Sequence, residues 1–83
     1  SGGEIDFVVK SGDATVPVEC KAALKCDRRH WQGVVEYLEQ FGQGLGVVVS
    51  LAPLAETQLA NGRRILNLPA YFLERFGEMA KAG

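Results

Sequence analysis

Apolar and polar positions alternate with a period of two in the first twenty residues and then switch to a helical period. From Glu4 to Lys10, Ile5, Phe7 and Val9 fall on one face, with Asp6, Val8 and Lys10 on the other, the alternation of a strand. Ser11-Gly12-Asp13 is turn chemistry. Thr15–Lys21 alternates again, with Val16, Val18 and Cys20 on one side and Pro17, Glu19 and Lys21 on the other. The two segments read as a β-hairpin in which Cys20 faces the core. Pro17, which has no N–H to donate, is expected at an edge or a bulge.

Asp27 suits an N-cap. Trp31, Val34, Val35, Leu38 and Phe41 or Gly42 then recur at helical spacing, and Gly42 and Gly44 end the helix. Leu45–Leu51 is a short β-branched apolar run that suits a strand buried on both faces. The order hairpin, helix, strand predicts that it lies parallel to the second hairpin strand through a right-handed crossover. Pro53 ends it, Ala55–Ala60 reads as a short helical turn, and Asn61-Gly62 is a strong turn signal. Arg63–Leu68 follows as a short strand or extended segment. Pro69 suits the first turn of a last helix, with Phe72, Leu73, Phe76 and Met79 or Ala80 on its inner face. The expectation is a single α/β domain over 1–83 with a small mixed β-sheet. Its parts are a hairpin, a crossover helix, a buried strand, and a C-terminal short strand and helix.

Chemistry enters at the hairpin. Glu19 and Lys21 share a face of their strand, and pairing brings Asp6 toward them. Two carboxylates and a lysine at a sheet edge can hold a hard divalent cation and orient a water. The bland alternative is a solvated strand face with an ordinary Glu/Lys pair.

Asp6 followed by Glu19-Cys20-Lys21 resembles the PD-(D/E)XK nuclease superfamily. The wider context is Gly3-Glu4-Ile5-Asp6-Phe7-Val8-Val9 and Val16-Pro17-Val18-Glu19-Cys20-Lys21. It is most similar to the nuclease-like C-terminal domain of prokaryotic AAA-type ATPases. The similarity continues through Tyr37-Leu38-Glu39-Gln40-Phe41-Gly42, Leu45-Gly46-Val47-Val48-Val49-Ser50 and Asn67-Leu68-Pro69-Ala70-Tyr71. The resemblance implies a restriction-endonuclease-like core lacking its first helix, in a fragment or C-terminal part of a longer protein. It implies a metal-dependent hydrolase of nucleic-acid phosphodiester bonds. Asp6, Glu19 and Lys21 would be catalytic, with Mg²⁺ or Mn²⁺ held by Asp6, Glu19 and the backbone carbonyl of Cys20. Lys21 would orient or help deprotonate the attacking water and stabilise charge on the phosphorane. The alternative is a non-catalytic interaction or regulatory module of an ATP-binding protein with a nuclease-like fold. Expected partners are nucleic acid, DNA rather than RNA, and a second copy or attached domain that completes the sheet or the first helix.

Other polar residues are more simply structural. Arg28, Arg29 and His30 at the helix start could face phosphate, but a polar surface around Trp31 suffices. Some superfamily members carry Gln, three residues, then Tyr on this helix. Here four residues separate Gln32 and Tyr37, so that motif is not carried over. Arg63 and Arg64 could clamp a phosphate, or be solvated strand-end charges.

Composition sets outer limits. Eighty-three residues allow one small domain, and 47% apolar content is globular rather than disordered. The formal net charge of −1 does not suit a free-standing nucleic-acid binder, so such binding would need a local patch or a partner. Cys20 and Cys26 match no zinc spacing and read as free thiols in a reducing cytoplasm. No apolar run is long enough for a membrane span, and no signal-peptide pattern is present.

Overall fold

A computed structural model of the chain describes residues 5–72. Five strands form one mixed sheet in the order β1-β2-β3-β5-β4: β1 (Phe7–Ser11), β2 (Ala14–Cys20), β3 (Leu45–Ser50), β4 (Ala55–Gln58) and β5 (Arg64–Pro69). Helix α1 (Arg28–Phe41) connects β2 to β3. The hairpin forms as the alternation predicts, with Phe7 opposite Val18 and Val9 opposite Val16. Gly12 at its turn takes a positive φ of 61°. β3 lies parallel to β2 and also to β5.

Helix α1 starts and stops where its sequence says. Asp27 Oδ1 accepts the Arg29 N–H at 3.0 Å, and the His30 Nδ1 accepts the Asp27 N–H at 3.1 Å, closing a reciprocal capping box. At the other end Gly42 enters the left-handed region at φ 62°, which costs a glycine nothing. Between the caps the apolar stripe lies against the sheet. Val34, Leu38, Val48 and Ile65 form the centre of the core, each at most 1% exposed. Burying a side chain of this size contributes about 1.5–3 kcal/mol. Gly46 makes the close approach possible, because a Cβ there would collide with the Val34 Cγ1.

The faces of the sheet follow from register. Glu19 pairs with Val48 in the parallel ladder, and Val48 with Asn67. Side chains of paired residues share a face, so Thr15, Pro17, Glu19, Gly46, Val48, Ile65 and Asn67 all lie on the side that α1 covers. Both faces of β3 are buried, with Val48 at 0% and Val49 at 4% exposed, as its continuous apolar run predicts.

Four expectations need correction. Cys20 is exposed and does not face the core. Helix α1 covers the opposite face of β2, and Cys20 lies beyond the reach of β1, which begins opposite Val18. Pro17 is neither at an edge nor in a bulge but is buried in a strand paired on both sides. Its missing N–H is harmless because the Lys21 N–H bonds Val49 O across the β2–β3 ladder. By alternation the Pro17 nitrogen points the same way, and the ladder begins only at Val18. Ala55–Gln58 is strand rather than helical turn, because it pairs antiparallel with β5 from Ala55 opposite Asn67 to Gln58 opposite Arg64. Pro69 closes β5 rather than opening a helix. Helical backbone begins at residues 70–72, and the remainder of the expected last helix lies outside the described residues. The Asn61-Gly62 turn is present, with φ of 63° and 77°.

Candidate functional site

The C-terminal end of β2 gathers the three residues that the pattern singles out. Strand alternation sends Glu19 and Lys21 to the same face, and the Lys21 Nζ stands 3.3 Å from the Glu19 Oε1. The Glu19 side chain is only 7% exposed and that of Lys21 38%, so the lysine bridges a buried acid to the surface. The second carboxylate oxygen, Glu19 Oε2, is buried and has no hydrogen-bond partner among the described residues. Leaving such an atom unpaired costs roughly 1–3 kcal/mol, and more when it is charged.

Asp6 sits just ahead of β1. Its N–H donates to Val18 O at 3.1 Å, and its Oδ2 accepts the Cys20 N–H at 2.6 Å. The Asp6 carboxylate is thus anchored on the peptide group that joins Glu19 to Cys20. The Cys20 thiol reports both acids. Its pKa is raised above the usual thiol value, first by partial loss of its water shell and then by the negative charges of Asp6 and Glu19. Within a strand a residue's N–H and C=O point to the same side, so the Cys20 carbonyl is directed toward the Asp6 edge.

The end of β2 offers carboxylate and carbonyl oxygen, the donor types that hard cations of the magnesium kind take, and one of its acids is already desolvated. Among the described residues no group of three or more His, Cys, Asp and Glu side chains is placed to hold a metal ion. A bound cation would therefore keep several waters. The backbone holding these groups is itself fixed, by Lys21 N–H to Val49 O at 2.8 Å and Leu51 N–H to Ala23 O at 3.0 Å.

The remaining candidates mostly take structural roles. His30 completes the α1 cap, and Arg29 pairs with Asp27 at 3.0 Å. The same contacts hold the Asp27 carboxyl down to about 2, the Arg29 side-chain bond being the largest cause. Tyr37 donates to the Thr15 Oγ1 at 2.9 Å, tying α1 to β2. Arg63 Nε donates to Gln43 O at 3.1 Å, and Arg64 pairs with Glu56 of the neighbouring strand at 3.2 Å. Gln32, Arg28 and Arg63 line a 530 Å³ groove between α1 and the 60–62 turn, which does not include Asp6, Glu19 or Lys21. Its acidic lining residues, Glu36 and Glu39, offset much of its positive charge. The candidate site is therefore the end of β2 rather than the groove.

One buried polar pair escapes a reading of the sequence. Ser50 Oγ donates to the Asn67 Oδ1 at 2.8 Å and accepts the Ala52 N–H at 3.0 Å. Asn67 Nδ2 donates to Ala52 O and Pro53 O. The only signal for it in the sequence is a polar residue at the end of one apolar run and within another. Among the described residues, no helix is long and apolar enough to cross a membrane. Comparison with protein-family models, with curated proteins and with solved structures finds no match.

Proposed function

We propose that this chain is a metal-dependent nuclease-like domain that hydrolyses nucleic-acid phosphodiester bonds at Asp6, Glu19 and Lys21. The observation that carries the reading is the buried Glu19 carboxylate. One of its oxygens meets Lys21 and the other meets no hydrogen-bond partner among the described residues. A fold that needed only stability would gain by replacing such a group with an apolar one. Asp6, Glu19 and the Cys20 carbonyl would hold Mg²⁺ or Mn²⁺, which supplies Lewis acidity and an acidified water when bound. The part-exposed Lys21 ammonium would orient a water and stabilise negative charge developing on a phosphoryl oxygen. The bonds from Asp6 N–H to Val18 O and from Cys20 N–H to the Asp6 Oδ2 fix Asp6 beside the end of β2.

The test is cleavage of DNA with Mg²⁺ or Mn²⁺ by the parent chain beside Glu19→Ala and Lys21→Ala. The proposal expects both variants to lose about 100-fold or more in rate, as removal of a charge-stabilising group does. Equal rates in parent and variants would remove these residues from any mechanism.

A second reading has its own support. Asp6 Oδ2 already accepts the Cys20 N–H and Glu19 Oε1 already meets Lys21, so both acids also serve the fold. On that reading the chain is a non-catalytic interaction module of an ATP-binding protein. A parent chain that neither binds Mn²⁺ nor cleaves DNA favours it.

A further inference from the structure

The parallel strands β2, β3 and β5 end on one rim of the sheet, at Cys20, Ser50 and Pro69. The loops leaving that rim expose leucines to an unusual degree: Leu24 is 75% exposed, Leu51 58% and Leu54 52%. The Leu51 N–H donates to Ala23 O at 3.0 Å, so the loops that carry Leu24 and Leu51 are joined. A single exposed leucine means little, but three on one rim beside a candidate site mark a contact surface.

Charge beside these leucines indicates what the contact is with. The segment Lys21-Ala22-Ala23-Leu24-Lys25-Cys26-Asp27-Arg28-Arg29 carries four cations, of which Lys21 pairs with Glu19 and Arg29 with Asp27, so Lys25 and Arg28 supply its excess positive charge. Lys25 and Arg28 are exposed and lie on either side of the Cys26-Asp27 corner. The Arg29 side chain is 87% exposed even though it pairs with Asp27. An apolar side chain projecting between cations matches a nucleic-acid duplex: phosphates take the cations, and the gap between stacked bases takes the apolar group. An apolar protein surface would leave the cations without a role.

We propose that the Lys21–Arg29 loop docks on a nucleic-acid duplex with Leu24 inserted as a wedge at a base step, while Lys25 and Arg28 hold the flanking phosphates. The identity of this partner rests on the nuclease reading of the neighbouring site. Leu24 is three residues from Lys21, so the wedge opens the duplex beside the phosphate presented to Glu19 and Lys21. Leu51, whose N–H bonds the neighbouring Ala23 O, offers an apolar surface to a displaced base.

The test uses the 83-residue chain and a short DNA duplex carrying 2-aminopurine, without divalent cation so that no strand is cut. The probe brightens when its base is unstacked. The parent should raise the fluorescence several-fold at saturation. Leu24→Ser, at a position too exposed to affect folding, should bind duplex but abolish the rise. Lys25→Glu with Arg28→Glu should weaken binding about 10-fold or more and lower the salt slope by about 2, one for each phosphate that no longer meets a cation.

Three results would overturn the proposal: no duplex binding by the parent at about 50 mM salt, binding without a fluorescence rise, or an unchanged rise with Leu24→Ser. Leu24-dependent self-association seen by light scattering without DNA would also overturn it, by assigning the rim to a protein partner. The two readings fail separately. A Leu24-dependent rise in a chain that never cleaves DNA with Mn²⁺ keeps the wedge and removes the hydrolase. Cleavage that needs Glu19 but shows no rise does the reverse.

Discussion

The Asp6 carboxylate accepts the backbone N–H of Cys20 at 2.6 Å, which pins one acid of the candidate site to the peptide next to the other. That bond is both structural and positional. Asp6→Asn keeps a side-chain acceptor and should fold with little change, yet bind Mn²⁺ about 10-fold more weakly or worse, because a carboxylate oxygen is gone. Asp6→Ala should in addition lose about 1 kcal/mol of stability. Urea unfolding and Mn²⁺ titration of the two variants separate the roles.

Gly46 tests the packing beneath the site. A Cβ there collides with the Val34 Cγ1 and comes within 3.2 Å of the Ile65 Cδ1. Gly46→Ala should cost about 1–3 kcal/mol in denaturant unfolding, the usual cost of overpacking. Combining it with Val34→Ala should cost less than the sum of the two single changes, because the second change removes the colliding methyl. Strict additivity would contradict the contact.

Asn67 holds the loop after β3 through Ser50, Ala52 O and Pro53 O. Asn67→Ala leaves the buried Ser50 hydroxyl and Ala52 carbonyl without these partners and should cost about 2–4 kcal/mol. Hydrogen exchange at Ala52, whose N–H is held by the Ser50 Oγ, should accelerate more than exchange within α1.

Asp27 gives the pH dependence. Its folded pKa of about 2 lies below its ordinary 3.8. Ionised Asp27 therefore stabilises the native state fully above about pH 4. That contribution disappears as pH falls from there through about 2. Asp27→Ala should be less stable than the parent at neutral pH, by loss of the cap and the Arg29 pair, and the difference should narrow in strong acid. Thermal unfolding of both proteins across this range checks it; a gap that widened in acid would contradict the cap.

The parts of the fold legible in the sequence are those decided locally. The hairpin, α1 with its Asp27 and Gly42 ends, the apolar β3 run and the Asn61-Gly62 turn each follow from periodicity and backbone chemistry. Ala55-Glu56-Thr57-Gln58 reads as helical because its residues are mostly poor strand formers. Pairing with β5 across the 59–63 turn makes it a strand, and the residue types of the segment alone do not announce that pairing. Pro17 and Cys20 defeat a local reading because alternation gives which residues share a face, but not which face a helix covers or where a ladder begins. At the site, the shared face of Glu19 and Lys21 is legible from alternation. The burial of Glu19 is not, because it depends on where α1 lies across the sheet. The Ser50–Asn67 pair joins two strands and has no local signature.

The central claim is that Glu19 is kept buried and half-unpaired in order to hold a divalent cation. Thermal unfolding of the parent and of Glu19→Gln, with and without Mn²⁺, tests it most directly. Without metal the variant should differ little in stability, since the desolvated carboxylate is lost together with its ion pair to the part-exposed Lys21. With Mn²⁺ at about 100 times its dissociation constant, the parent should gain about 2.7 kcal/mol, roughly 10–20 °C in a domain of this size, and the variant almost nothing. An equal shift in both proteins, or none in the parent, would contradict the account.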